Sequence, residues 1–398
     1  MQIMQEAMNQ KRTIAVIIPT YNRSALLREA IDSVLAQSYR PNQIIVVNDG
    51  SIDDTSDIVA SYGDKLTYIS KVNGGKAKAM NAGMACCRSD YILICDDDDL
   101  LPPEALSRLV EALDANPAAG FVYGDYLEFQ HEDPQRMLFK QASYARTDEP
   151  NVLIRFLEGM FTSLNTCLVR ASLYQEVGGF REDLVRSQDY DMAIRLARKG
   201  SAVHVPHVVY HVRQHGGVRG SATVSFSENE RDRKWMEYEG KVLSELRKEM
   251  DIQEFTPTVA KRWEATLAKR AAYLERASVS AHRGLWVEVV EDLQEANDLS
   301  DEAPSKEELA LFLGAAGNTL CLTLLLQNTK ATTAMRAGCL KLPYVKSVVH
   351  EAFGALPWHM KRDICKGEIS GAVLRLRLML RIFGWSGTVK RLLRAIVK

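Results

Sequence analysis

The chain has no surplus of charge of either sign: 50 Lys and Arg stand against 51 Asp and Glu, a formal net charge of −1 over 398 residues. No global positive field draws a bulk polyanion to it, so nucleic acid is not among the expected partners. A cysteine framework is missing too. The seven cysteines include no CxxC pair and, being odd in number, cannot all pair within the chain, which points to a reducing, cytoplasmic setting. GxxxxGK[ST], GxGxxG and HExxH are absent, which excludes a Walker A loop, a dinucleotide fingerprint and a zincin helix. Long apolar runs are scarce. Ile14 to Ile18, behind Lys11 and Arg12, is too short for a signal-peptide core, so export is not expected. Leu309 to Leu326 is 18 residues without a charge, the lower edge of a membrane span, but Gly314, Gly317 and Asn318 in its middle favour a buried helix pair.

What is present is an alternation of apolar runs and helical periodicity. Ile14-Ala15-Val16-Ile17-Ile18 and Ile44-Ile45-Val46-Val47 read as buried strands, stopped by Pro19-Thr20-Tyr21-Asn22 and Asn48-Asp49-Gly50-Ser51. Between them Leu26, Leu27, Ala30, Ile31, Val34 and Leu35 recur with a period near 3.6, and Ser24 is the expected helix cap. Asp53 to Tyr62 and Ala77 to Cys86 read as helices, Leu66 to Ser70 and Tyr91 to Cys95 as strands. The fold class that follows is α/β, with a mostly parallel sheet flanked by helices. Such sheets bind ligands at the carboxyl edge of their strands. Pro19 to Arg23, Asn48 to Asp53 and Asp96 to Asp99 all follow directly on strands and are expected to converge there.

Asp96-Asp97-Asp98-Asp99 places four carboxylates side by side, which repel unless solvent, bases or a cation compensate them. A hard divalent ion, Mg2+ or Mn2+, shared with a diphosphate would do so; an acidic turn capping the helix near Pro102-Pro103-Glu104 is the plainer reading. In an extended chain Asp96 and Asp98 face one side and Asp97 the other. Asn73-Gly74-Gly75, followed by Lys76 and Lys78, puts flexible backbone and cations at a helix start, which suits phosphate or an ordinary turn with solvated lysines. Gln188-Asp189-Tyr190-Asp191 opens a helix ending at Gly200. Its carboxylates either complement the helix dipole, or one of them faces the crevice as a general base. His204, His207, His211 and His215 lie close in sequence but lack the cysteines or HExxH of a zinc site.

In this order and spacing the segments resemble the inverting glycosyltransferases of family 2, which have the GT-A fold. The resemblance runs from Ala15 to about Gly217. It rests on Val16 to Arg23, Ser33 to Tyr39, Ile44 to Ser51, Asn73-Gly74-Gly75 with Asn81-Ala82-Gly83, Tyr91 to Asp99, Val177-Gly178-Gly179-Phe180 and Asp189 to Gly200. It implies that Thr20, Asn22 and Arg23 line a nucleotide pocket and that Asp49 hydrogen-bonds the base. It implies that Asp96 and Asp98 form the DxD motif, Asp98 holding the metal and Asp97 counted with the donor-binding group, and that Asp99 helps close the site. Asp189 matches the catalytic base, and His215 a histidine of the metal or diphosphate shell. Lys76 or Lys78 would add diphosphate contacts, while Asn165, within Met160 to Val169, and Gln188 would lie on the acceptor side. Two departures stand out: Gln188 replaces a frequent Glu, and Met80 a frequent Arg that would touch phosphate.

The implied activity is metal-dependent transfer of a sugar, with inversion, from a nucleotide-sugar donor, UDP-linked, to a glycan or lipid-linked hydroxyl acceptor in cell-surface glycan synthesis. Two alternatives remain open. One is a nucleotide-sugar pyrophosphorylase-like nucleotidyltransferase, against which the missing N-terminal glycine-rich loop counts. The other is an inactive glycan-binding scaffold.

Beyond a first domain at 13–220, the pattern predicts a helical extension at 221–303 and a helical C-terminal domain at 304–398. Glu228 to Met250 and Pro257 to Ser278 read as helices, and Trp286 to Leu299 carries an apolar series. Lys361 to Lys398 contains ten Lys or Arg against Asp363 and Glu368, interleaved with Leu374, Leu376, Leu378, Met379, Ile382 and Trp385. A basic amphipathic tail of this kind packs on its own domain, lies on the anionic inner face of a membrane, or meets a second copy in a homo-oligomer.

Overall fold

The computed structural model describes residues 12–133, 136–141, 150–214, 228–313 and 319–397. Its contacts divide the chain into two compact units, Met1–Thr147 with Met160–Ser227, and Asp148–Gly159 with Glu228–Lys398.

The first unit opens with β1 (Ile14–Thr20), α1 (Ser24–Leu35), β2 (Gln43–Asn48), α2 (Thr55–Ala60), β3 (Thr67–Ser70), α3 (Lys76–Cys86) and β4 (Tyr91–Ile94). These four strands pair in parallel, so Thr20, Asn48, Ser70 and Ile94 end at one edge. Every residue of β1 and β4 is buried, as continuous apolar runs in a sheet covered on both faces require. Ile14, Val16 and Ile18 share a core with Leu27, Ile31 and Val34 of α1. Ile17 faces the other way, toward α3, where a Cβ at Gly83 would stand 2.5 Å from its Cγ2. Only glycine lets that helix approach so closely.

Ser24 does not cap α1. It is the first helical residue, and its N–H donates to Asp53 Oδ2 (2.9 Å) from the loop after β2. The other oxygen of Asp53 accepts the Thr55 N–H at 3.2 Å at the start of α2. One carboxylate thus serves two helix starts, and a cap supplied from 29 residues away leaves no local signature.

Next come α4 (Ala105–Ala115), β5 (Ala119–Asp133) and β6 (Arg136–Gln141). The chain then visits the second unit as α5 (Val152–Glu158) and returns as β7 (Cys167–Arg170), α6 (Ala171–Val177), α7 (Gln188–Lys199) and β8 (Ser201–Arg213). The sheet order is β3-β2-β1-β4-β7-β5-β6, with β8 paired to β5. β7 is antiparallel to both β4 and β5, and β8 is parallel to β5. The sheet is therefore mostly parallel, as expected, with β6 and β7 running against the rest.

The second unit is helical, as expected of the region after the sheet: α8 (Glu228–Glu249), α9 (Ala265–His282), α10 (Trp286–Leu299), α11 (Lys306–Leu313), α12 (Thr319–Gln327), α13 (Thr329–Lys341), α14 (Pro343–Ala352), α15 (Leu356–Cys365) and α16 (Ile369–Val397). The helix expected from Pro257 starts only at Ala265, because Pro257 and Trp263 are extended and Glu264 is the cap, accepting the Thr266 N–H at 3.1 Å. Of Leu309 to Leu326, residues 309–313 lie in α11 and 319–326 in α12, with 314–318 outside the described residues, and no helix among the described residues is long and apolar enough to cross a membrane. Leu378, Met379 and Ile382 of the basic tail join Trp286, Leu322 and Phe353 in this unit's core. The apolar stripe of α16 is used within the fold, while Trp385 is 75% exposed.

One titration follows from this packing. His350 on α14 meets Phe383 edge-on, and burial together with Arg391 and Lys346 pushes its pKa down to about 4. The unfolded chain takes up that proton near the ordinary value of about 6.5, so stability is complete above that pH and falls as pH descends toward about 4. Thermal unfolding compared at neutral pH and near pH 5 should show His350→Gln losing less on acidification than the wild type.

Candidate active site

The parallel strands deliver residues 21–23, 49–53, 71–75 and 95–99 to one edge of the sheet. Because β7 runs the other way, its beginning and the turn Leu164–Thr166 before it reach the same edge.

Asp96 to Asp99 are not extended. The Asp99 N–H returns to the Asp96 carbonyl at 3.3 Å, closing a turn. The turn brings carboxylate oxygens of Asp96, Asp98 and Asp99 within 4.8 Å of one another. Asp97 is buried, and burial pushes its carboxyl up to about 6 against the pull of Arg23. Burial, then Asp96 and Asp98, push the Asp99 carboxyl well up. Three hard oxygen donors in one turn suit Mg2+ or Mn2+ and no soft ion. Among the described residues no second group of this kind occurs. Among the described residues the histidines do not gather: His204 pairs with Asp125 at 2.8 Å and stacks on Tyr123. His215 lies outside the described residues.

Cations of the chain meet these carboxylates. Arg23 Nη1 is 2.6 Å from Asp98 Oδ2 and 3.1 Å from Asp97 Oδ1. Lys76 Nζ is 2.7 Å from Asp96 Oδ1 and 4.0 Å from Asp189 Oδ2. Burial alone would lower the Lys76 pKa, but Asp96 and Asp189 outweigh it and hold it raised.

Asp189 stands in the first turn of α7, its side chain 39% exposed. Desolvation raises its carboxyl, Lys76 opposes the rise and Asp96 adds to it, leaving a net upward shift. Asp191 differs: it is 1% exposed and clamped by Arg195 at 2.7 Å. Arg195 also donates to the carbonyls of Val177 and Gly179 at 2.8 and 3.0 Å. Of the two carboxylates that open this helix, Asp191 anchors it and Asp189 reaches the site.

Some contributors were not legible. Tyr210 accepts the Asp96 N–H at 2.9 Å. Arg213 holds the acidic turn with its N–H on Asp99 Oδ1 and its Nε on the Asp98 carbonyl, both at 2.7 Å, and its guanidinium lies 4.6 Å over the Phe129 ring. Asn81 staples the loop ahead of α7 to α3, accepting the Phe180 N–H at 2.7 Å and donating to its carbonyl at 2.9 Å. A Cβ at Gly179 would sit 2.7 Å from Asn81 Oδ1. The order Asn81, then Gly179-Phe180, was part of the sequence pattern, but no local signal links residues 99 apart.

The remaining expected residues divide. Thr20 is buried at the end of β1. Asn22, at φ 52°, accepts the Ile52 N–H at 2.8 Å and donates its own N–H to Ser51 Oγ at 2.9 Å, tying two edge loops together. Lys78 is exposed, its stem against Gly74, and no ion pair among the described residues joins it to the acidic turn. Asn165 is buried in the turn before β7, and Met80 is fully buried. Gln188 donates to the Leu184 carbonyl at 2.8 Å.

Asp49 is occupied by the chain itself. Its carboxylate accepts the Gly74 N–H at 3.0 Å, the Gly75 N–H at 2.7 Å and the Lys71 ammonium. At Gly50, φ 85°, a Cβ would meet the Asn73 nitrogen at 2.7 Å. Asp49 thus shapes the glycine-rich loop that leads into Lys76. Asp49→Asn should cost about 1–3 kcal/mol, the scale for leaving a buried hydrogen-bonding group unsatisfied, read by urea unfolding.

Residues 15–178 match the profile of glycosyl transferase family 2. An uncharacterized glycosyltransferase of Rickettsia felis is 31% identical over 244 residues, 60% of this chain and 40% of that protein. The hyaluronan synthase of Pasteurella multocida is 27% identical over 215 residues, 52% of this chain and 21% of that protein. The chain therefore spans 40% or less of the length of both. TarS 1–349 of S. aureus, solved in complex with UDP-GlcNAc, aligns with a TM-score of 0.50 at 17% identity, covering 89% of this chain and 92% of that one. At that identity the likeness is one of fold.

Proposed function

Residues 15–178 being a glycosyl transferase family 2 domain, we propose that the crevice at the sheet's carboxyl edge transfers a sugar from a nucleoside-diphosphate donor, UDP-linked, to an acceptor hydroxyl with inversion. The observation that supports this reading is the placement of Lys76, which touches Asp96 on the donor side and lies 4.0 Å from Asp189. Asp189 takes the proton of the attacking hydroxyl; its raised carboxyl makes it a better acceptor than an ordinary aspartate at the same pH. Thr20, Asn22 and Arg23 face the nucleotide, with Asp49 shaping the neighbouring loop. Asn165 and Gln188 lie toward the acceptor. Asp98, with Asp96 and Asp99, would hold Mn2+ or Mg2+, which when bound supplies positive charge against the departing diphosphate; His215 would add to that shell. A glycan or lipid-linked acceptor of the cell surface fits a chain working from the cytoplasmic side.

The test is product analysis. UDP-GlcNAc, UDP-glucose and GDP-mannose are incubated with the chain, Mn2+ and a panel of glycan and lipid-linked hydroxyl acceptors, nucleoside diphosphate release is followed, and the anomeric configuration of the new glycosidic bond is read by NMR. Release of UDP with inverted product supports the proposal. Pyrophosphate exchange supports a nucleotidyltransferase, and nucleotide binding without turnover a scaffold.

A further inference from the structure

Two cations of this chain sit on the oxygens a divalent ion needs. Arg23 donates to Asp98 and Asp97, and Lys76 to Asp96. Each stands at a helix start: Arg23 immediately precedes α1, and Lys76 is the first residue of α3. A cation there faces the positive end of the helix dipole, so the acidic turn, not the helix, holds both side chains in place. Two helix starts and two cations converging at one edge equally suit the oxygens of a diphosphate, which accept charge-assisted hydrogen bonds of the same kind.

We propose that Arg23 and Lys76 are exchangeable counter-ions of the acidic turn: they compete with a divalent cation for Asp98 and Asp96, and pass to the phosphates when a nucleoside diphosphate binds. This deepens the reading of the crevice as a donor site and rests on it. Entry is then ordered by charge. A cation alone must break a charge-assisted hydrogen bond at each carboxylate, leaving Arg23 with Asp97 and Lys76 with Asp189 as their remaining anionic partners. With a diphosphate present, the displaced side chains find new anionic partners. The Arg213 contacts keep the turn in shape throughout.

The experiment uses the full chain as wild type, Arg23→Gln, Lys76→Gln and Asp98→Asn, with Mn2+ binding followed by electron paramagnetic resonance and UDP and GDP binding by calorimetry. Mn2+ alone should bind about tenfold more tightly to each Gln variant, while UDP in saturating Mn2+ binds about tenfold more weakly, the scale of one hydrogen bond to a charged group. Asp98→Asn should lose Mn2+ binding. Should Arg23→Gln fail to fold, since it strips Asp97 of its cation, Lys76→Gln carries the test. UDP bound as expected by the wild type, with Mn2+ affinity unmoved or weakened in the Gln variants, overturns the exchange and leaves the donor reading standing. No affinity for UDP or GDP in any of the four proteins overturns both.

Discussion

Asp189→Asn should lower kcat by about 10^2 to 10^4, the range associated with a positioned general base, while leaving UDP affinity near wild type. The amide keeps the shape of the carboxylate but cannot take the acceptor proton. The exchange is local, because the clamp between α7 and the loop before it runs through Asp191 and Arg195, and Lys76 keeps Asp96 at 2.7 Å. Asp191→Asn is the informative contrast: it weakens a buried ion pair, so its first effect is on stability. In the wild type, activity should fall as pH drops through carboxyl pKa values above the ordinary aspartate value, and the share of that acid limb due to the upward shift at Asp189, beside those of Asp97 and Asp99, should be missing from whatever rate Asp189→Asn retains. Steady-state kinetics beside calorimetry separate the two effects, and a kcat equal to wild type would remove Asp189 from the role.

Glu308→Ala should destabilise the helical unit by about 3–5 kcal/mol, the usual consequence of stranding one member of a buried ion pair. Arg270 and Glu308 are each 2% exposed and joined twice, at 2.6 and 2.8 Å. The guanidinium also lies 4.6 Å over the Tyr344 ring, and Glu308 accepts the Ser305 N–H at 2.8 Å at the start of α11. Truncating the carboxylate leaves a charge with no solvent to receive it. Replacing both partners, as Arg270→Met with Glu308→Leu, should recover much of the loss because no charge is then stranded. Urea unfolding followed by circular dichroism measures both; a loss under about 1 kcal/mol in the single variant would mean that solvent reaches Arg270.

Much of this is legible in the sequence. The apolar runs at Ile14 and Tyr91 became β1 and β4, and the 3.6-residue period from Leu27 to Val34 became the buried face of α1, because both patterns arise from backbone geometry within a few residues. Ser24 departs from its expected role for the complementary reason: serine is a good cap, but Asp53 reaches the helix start from another loop. The tail was ambiguous because an apolar stripe beside basic residues looks the same whether protein or lipid covers it. Leu378, Met379 and Ile382 are covered by the helices of their own unit.

At the crevice the division is sharper. Residue order alone determined that a polar turn follows each parallel strand and that the acidic run lies at the carboxyl edge, since strand direction and turn chemistry are local properties. Which carboxylate of α7 reaches the site, that Asp49 is engaged by Lys71, Gly74 and Gly75, and that Arg23, Lys76 and Arg213 neutralise the acidic turn were decided only in three dimensions. Arg23 meets Asp97 across 74 residues and Arg213 meets Asp99 across 114. Charges that far apart in the chain feel one another only after the sheet has closed and excluded the water between them.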